Sequence, residues 1–209
     1  MDWPLYFSTL EDWKRFPAYK MEPRIDSIVA YYLMDFAGER LRKKIVACIP
    51  ELPIRLGTVK PKLEGTVYSD RSYKVDFYLL AEDGQNLFVE FKSDTGSRRE
   101  GQDTYLSQSK QMGMRKIVDG IVGIAKVSKY KDKYGHLLDR LMEIGLLDRD
   151  LRFVGNSDLI EVVYVQPKAK TDDEVVIDFN WIAGWLEDSH KGKGFETALA
   201  KSLRAWAND

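Results

Sequence analysis

Two apolar segments joined by a short polar loop constrain the chain more than any other feature. They are Tyr73-Lys74-Val75-Asp76-Phe77-Tyr78-Leu79-Leu80 and Asn86-Leu87-Phe88-Val89-Glu90-Phe91-Lys92, on either side of Glu82-Asp83-Gly84. Their aromatic and aliphatic content predicts two strands of a hairpin. The loop then decides which side chains share a face. A two-residue Asp83-Gly84 turn pairs Glu82 with Gln85 and sets Asp76 opposite Phe91. A three-residue loop with glycine left-handed at its third position pairs Ala81 with Gln85 and sets Asp76 opposite Glu90. Gly84 occupies the position where positive φ is needed, so the second register is expected.

On that register one face holds Val75, Phe77, Leu79, Val89 and Phe91, and the other holds Asp76, Glu90 and Lys92 beside Tyr78 and Phe88. Both faces are largely apolar, which predicts central strands covered on both sides. Three charges inside such strands are costly unless they have partners or a metal. Two carboxylates and a lysine on one face suggest a divalent-cation site built for hydrolysis. Asp76 and Glu90 would bind the ion, with the Phe91 carbonyl as a third ligand. Lys92 would stabilise developing charge or orient the attacking water. The competing reading pairs Glu90 and Lys92 with each other at a strand end, as structure only.

An acid on one strand followed by an acid-x-lysine triplet on the next resembles the PD-(D/E)xK nuclease superfamily, matched here by Asp76 and by Glu90-Phe91-Lys92. Val75 stands where the family name has proline. A second triplet, Asp12-Trp13-Lys14, has no apolar strand around it. The resemblance implies an α/β fold with a restriction-endonuclease-like core. That core is a helix, three strands, a helix and a fourth strand, built on a mixed central sheet. Extra elements lie at both ends. It also implies a metal-dependent nuclease that uses Mg2+ or Mn2+ to hydrolyse phosphodiester bonds, with DNA favoured over RNA. Many relatives carry a further acid on the first helix, for which Glu39 is favoured over Asp26. Some place a glutamine or tyrosine on the helix after the lysine, which makes Gln102 a candidate and leaves Tyr105 as core. The alternative is a catalytically inactive nucleic-acid-binding or protein-interaction module. Such a module would serve as a subunit of a restriction, repair or mobile-element complex; in either reading the expected partners are nucleic acid and a second copy of the chain (a homodimer) or a larger complex.

A chain of 209 residues, 44% hydrophobic, is expected to form one domain over 1–209. The core is expected over about 22–167, with a strand and helix of 168–209 packed on it. The net charge of -1 supplies no global attraction to nucleic acid. Basic residues cluster locally instead, at Arg40 to Lys44, at Arg98-Arg99, at Lys110 to Lys116 and at Lys126 to Lys133. The single cysteine, Cys48, excludes an internal disulfide framework. No basic-then-apolar leader opens the chain and no run of about 18 apolar residues occurs. The expected location is therefore the cytoplasm, with no membrane partner. His136 and His190 have no paired-ligand spacing, and Gly57-Thr58-Val59-Lys60 is no phosphate loop.

Helical spacing predicts a helix from Glu22 to about Val46, closed by Pro50 and Pro53, then an extended segment over Ile54 to Val67. Ser97 and Glu100 have capping-box spacing, which predicts a helix running through Tyr105 to Val127 with breaks at its glycines. A helix over Tyr134 to Leu147, strands over Leu159 to Val165 and Val175 to Trp181, and a helix over Phe195 to Trp206 complete the chain. The aromatics of the first twenty residues are expected to pack as an irregular or short helical arm. Trp181, Trp185 and Trp206 are expected in the core rather than on a stacking platform.

Overall fold

The computed structural model describes residues 1–17, 20–94, 100–168 and 175–208. In chain order they form α1 (Trp3–Trp13), α2 (Glu22–Leu41), β1 (Ile45–Arg55), α3 (Leu56–Val59), β2 (Ser72–Ala81) and β3 (Asn86–Phe91). Then follow α4 (Glu100–Met112), α5 (Met114–Val127), α6 (Lys131–Glu143), β4 (Ile160–Gln166), β5 (Val175–Asp178), α7 (Phe179–Ser189) and α8 (Gly194–Ala207). The strands form one sheet in the order β1-β2-β3-β4-β5. The β1/β2 and β2/β3 pairs are antiparallel and β4/β5 is parallel, so the fold is α/β with a mixed open sheet. Among the described residues no helix is long and apolar enough to cross a membrane.

The chain divides into two compact units, one of Met1–Lys43, Glu90–Arg98 and Val163–Asp209, the other of Lys44–Val89 and Arg99–Val162. The second unit carries the hairpin loop. Ala81 N–H donates to the Gln85 carbonyl at 3.0 Å, Gly84 N–H donates to the Ala81 carbonyl at 2.9 Å, and Gly84 has φ 84°. This is the expected three-residue loop, and the register follows: Phe77 faces Val89, Tyr78 faces Phe88, Leu79 faces Leu87 and Leu80 faces Asn86. Gly84 is required twice over, because a Cβ there would also lie 2.8 Å from the Asn156 Cβ. Below the loop, the fully buried Tyr78 hydroxyl donates to Asn86 Oδ1 at 2.8 Å. The Asn86 amide in turn donates to the Ser157 and Leu159 carbonyls. A buried polar network this well satisfied pins the hairpin to the segment before β4.

Two sequence expectations in this region are corrected. The helix predicted to reach Val46 ends at Leu41, where Arg42 turns left-handed (φ 55°) and the Lys43 N–H closes on the Gly38 carbonyl at 2.9 Å. Ile45 and Val46 begin β1 instead, as suits β-branched side chains. Pro50 and Pro53 lie inside that strand rather than ending a helix, pairing with Phe77 and Lys74. Proline is tolerated there because β1 is the outermost strand. Of the predicted extended segment over Ile54 to Val67 only Ile54 and Arg55 are strand, at the end of β1; α3, the 3-10 turn Pro61–Leu63 and turns follow. The long helix after β3 breaks at Gly113 (φ 83°), where the Asp158 carboxylate accepts the Arg115 N–H at 2.6 Å and replaces a local cap for α5. Ser97 lies outside the described residues.

In the first unit α1 buries Phe7 and Leu10 and leaves Trp13 and Phe16 exposed, so the N-terminal aromatics are only partly core. Tyr19 lies outside the described residues. The strand predicted over Val175 to Trp181 stops at Asp178, whose carboxylate accepts the Trp181 N–H at 2.9 Å and starts α7. Trp185 and Trp206 are buried, as expected for core packing.

Burial pushes the Tyr78 phenol well above the usual tyrosine range, and burial followed by the Glu196 hydrogen bond does the same for Tyr32. Raised folded-state values stabilise fully below the unfolded value and are lost as pH climbs past it. The contribution of these two tyrosines to stability is therefore expected to be constant below about pH 10 and to fall above it. Denaturation midpoints measured across that range check this, and Tyr78→Phe should remove part of the fall.

Candidate functional site

The first unit contains the acid-x-lysine triplet at the end of β3. Alternation sends Glu90 and Lys92 to one face and Phe91 to the other, where the Phe91 ring lies 6.0 Å from that of Phe179. The Lys92 N–H donates to the Val165 carbonyl of β4 at 2.8 Å, which fixes the triplet at the strand end. The Glu90 side chain is 0% exposed and that of Lys92 4%. The Lys92 ammonium lies 3.0 Å from Glu90 Oε1, donates to the Phe91 carbonyl at 2.7 Å and stands 3.6 Å from Glu22 Oε1. A buried charge pair carries a desolvation cost of several kcal/mol per ion, which hydrogen bonds of this kind offset. Oxygens from two side chains and the backbone thus converge on one positive charge.

Asp76 belongs to the other unit and is half-buried. It lies on the face of β2 that carries Tyr78. The helix acids fall differently from the sequence reading. Glu39 accepts the Trp185 indole N–H at 2.8 Å, and Asp26 accepts the Ser27 N–H at 2.5 Å. The acid of α2 that reaches Lys92 is Glu22, its first residue, which the sequence reading did not single out. An acid beside Pro23 at a helix start is so ordinary, because it complements the helix dipole, that nothing in the sequence separates it from a cap.

The Gln102 side chain lies outside the described residues, as do Arg98 and Arg99. Tyr105 is core as expected: its ring stacks on Tyr73 at 4.5 Å and 11°, and its hydroxyl donates to the Lys74 carbonyl. Several basic residues have structural partners. Arg115 packs 4.9 Å from the Phe153 ring, Lys131 closes the end of α5 on the Ala125 and Lys126 carbonyls, and Lys44 pairs with Glu82 at 2.6 Å. Lys110 and Lys116 are exposed. Burial pushes the Cys48 thiol up to about 11, which leaves it protonated at neutral pH and unsuited to nucleophilic work.

Among the described residues no group of three or more His, Cys, Asp and Glu is placed to hold a metal ion. The oxygens at the end of β3 nonetheless suit a hard cation in kind. They are a carboxylate and a carbonyl already turned toward an ammonium, and such donors favour magnesium-like ions. No protein-family model, no curated protein and no solved structure matches the chain.

Proposed function

We propose that the protein is a divalent-metal-dependent nuclease of the PD-(D/E)xK type that hydrolyses phosphodiester bonds in DNA. The observation that carries this reading is the buried Glu90–Lys92 pair closing an otherwise apolar strand. Burying two charges there is costly, and a task at that strand end explains why they are kept. With α3 and the 3-10 turn between β1 and β2, and α5 and α6 after α4, taken as insertions, the order α2, β1, β2, β3, α4, β4 supports the helix, three strands, helix and strand of that core. In this reading Asp76 and Glu90 would hold Mg2+ or Mn2+ with the Phe91 carbonyl. The chemistry such an ion would supply there is neutralisation of phosphate charge and a more acidic water. Lys92 would stabilise the charge developing on the phosphate with its ammonium. Glu22, on its other side, orients that ammonium.

A second reading rests on the same contacts. The Lys92 ammonium is satisfied by Glu90 and the Phe91 carbonyl, as in a fold that keeps the pair for structure alone and works as a binding module. Incubating the protein with DNA and with RNA, in Mg2+ or Mn2+ and in excess chelator, separates the two. The nuclease is expected to cut DNA only with metal. DNA affinity should fall linearly on a logarithmic salt scale, with a slope of about -0.9 per phosphate neutralised. Salt-dependent binding without cleavage would leave the binding module. Neither binding nor cleavage would remove nucleic acid from the reading.

A further inference from the structure

We infer that the aromatic cavity formed by α1, α2 and α8 binds a methylated ammonium group. The inference uses none of the residues proposed for cleavage. The cavity has a volume of about 550 Å³, large enough for a small organic ligand, and takes Trp3 and Tyr6 from α1, Ile28, Tyr31 and Tyr32 from α2 and Phe195 from α8, together with Met1. Its rings meet edge to face. Trp3 and Tyr6 are 6.0 Å apart at 89°, Trp3 and Phe195 are 4.7 Å apart at 76°, and Tyr31 and Tyr32 are 4.9 Å apart at 86°. A flat base held between rings needs two parallel walls, and none of these pairs is parallel. Walls at right angles surround a rounded group instead, and a cation within about 6 Å of such faces is attracted by the ring quadrupoles.

Charge selects the same class of ligand. The Tyr32 hydroxyl donates to Glu196 Oε1 at 3.0 Å, and Glu196 is only 9% exposed. The nearby Lys193 ammonium faces His190 Nδ1 at 3.5 Å, and the His190 ring packs against those of Tyr32 and Trp185. No ion pair to Glu196 occurs among the described residues, so its carboxylate puts negative charge directly behind one wall of the cavity. Tyr31, on the same wall, is 79% exposed. An exposed aromatic packed on a tyrosine that is hydrogen-bonded to a buried carboxylate suits a weakly hydrated organic cation better than a neutral apolar group.

Calorimetric titration of the full chain tests the inference with tetramethylammonium, choline, the uncharged carbon isostere dimethylbutanol and a short trimethyllysine peptide. The two free cations, or the peptide, should bind at least roughly fivefold more tightly than the isostere. Choline against the peptide tells a free cation from a protein-borne one. Tyr31→Leu, at an exposed position, should weaken cation binding by roughly five- to tenfold. Glu196→Gln keeps an acceptor for the Tyr32 hydroxyl, and should weaken the cation by a similar factor while leaving the isostere unchanged. Equal binding of cation and isostere, no binding of any ammonium probe, or no response to Tyr31→Leu in a protein with unchanged circular dichroism would overturn it.

Discussion

Asp76→Asn is expected to lower Mg2+-dependent DNA cleavage by roughly 10³-fold, the loss that accompanies about 4 kcal/mol of transition-state stabilisation. The substitution keeps size and hydrogen-bonding capacity and removes one charge, so it separates metal binding from folding. In the proposed arrangement Asp76 and Glu90 are like charges on neighbouring strands, and functional sites commonly carry a stability cost of that kind. In chelator the variant should therefore melt with the wild type or be more stable by about 0.5–2 kcal/mol. Added Mg2+ should stabilise the wild type by mass action, by about 2.7 kcal/mol at a hundredfold excess over the dissociation constant, and the variant far less. Thermal melts of both proteins with and without metal, beside a cleavage assay, read all of this. A variant that cuts as fast as the wild type removes Asp76 from the chemistry. One that unfolds makes Asp76 a structural partner.

The hairpin was legible in the sequence because its register depends on a local choice. Glu82-Asp83-Gly84 offers a left-handed glycine as its third residue, and that fixes every pair from Leu80/Asn86 to Phe77/Val89. What escaped was set by non-local context. Pro50 and Pro53 signal the end of an element unless the strand is outermost, and only the sheet order makes β1 so. The run Val175-Val176-Ile177 predicts a strand, but the aromatics after it belong to a helix because Asp178 caps Trp181. The start of α5 takes its cap from Asp158, far along the chain, which no capping pattern reveals. Within the candidate site, Glu90 and Lys92 stood out because charge in an apolar strand is anomalous. Glu22 did not, because charge at a helix start is normal.

Lys92→Met should destabilise the fold by about 3–5 kcal/mol, since it leaves the Glu90 carboxylate at 0% exposure without its ammonium. Methionine approximates the apolar stem, so little of that loss comes from packing. Glu90→Gln should cost less, because the Lys92 ammonium keeps the Phe91 carbonyl and Glu22 as partners. The double variant Glu90→Gln/Lys92→Met should recover most of the loss, because a buried ion pair replaced on both sides is often close to neutral. Chemical denaturation of the four proteins gives the coupling energy directly as a double-mutant cycle. Strong coupling in stability together with loss of cleavage in both single variants would mean that the chain holds a costly pair and uses it. Strong coupling with no cleavage in any of the four would leave a structural pair and the binding-module reading. A Lys92→Met protein as stable as the wild type would mean that Glu90 is relieved by water or by another group. The convergence of oxygens on a single buried cation, from which the nuclease proposal starts, would then have no energetic basis.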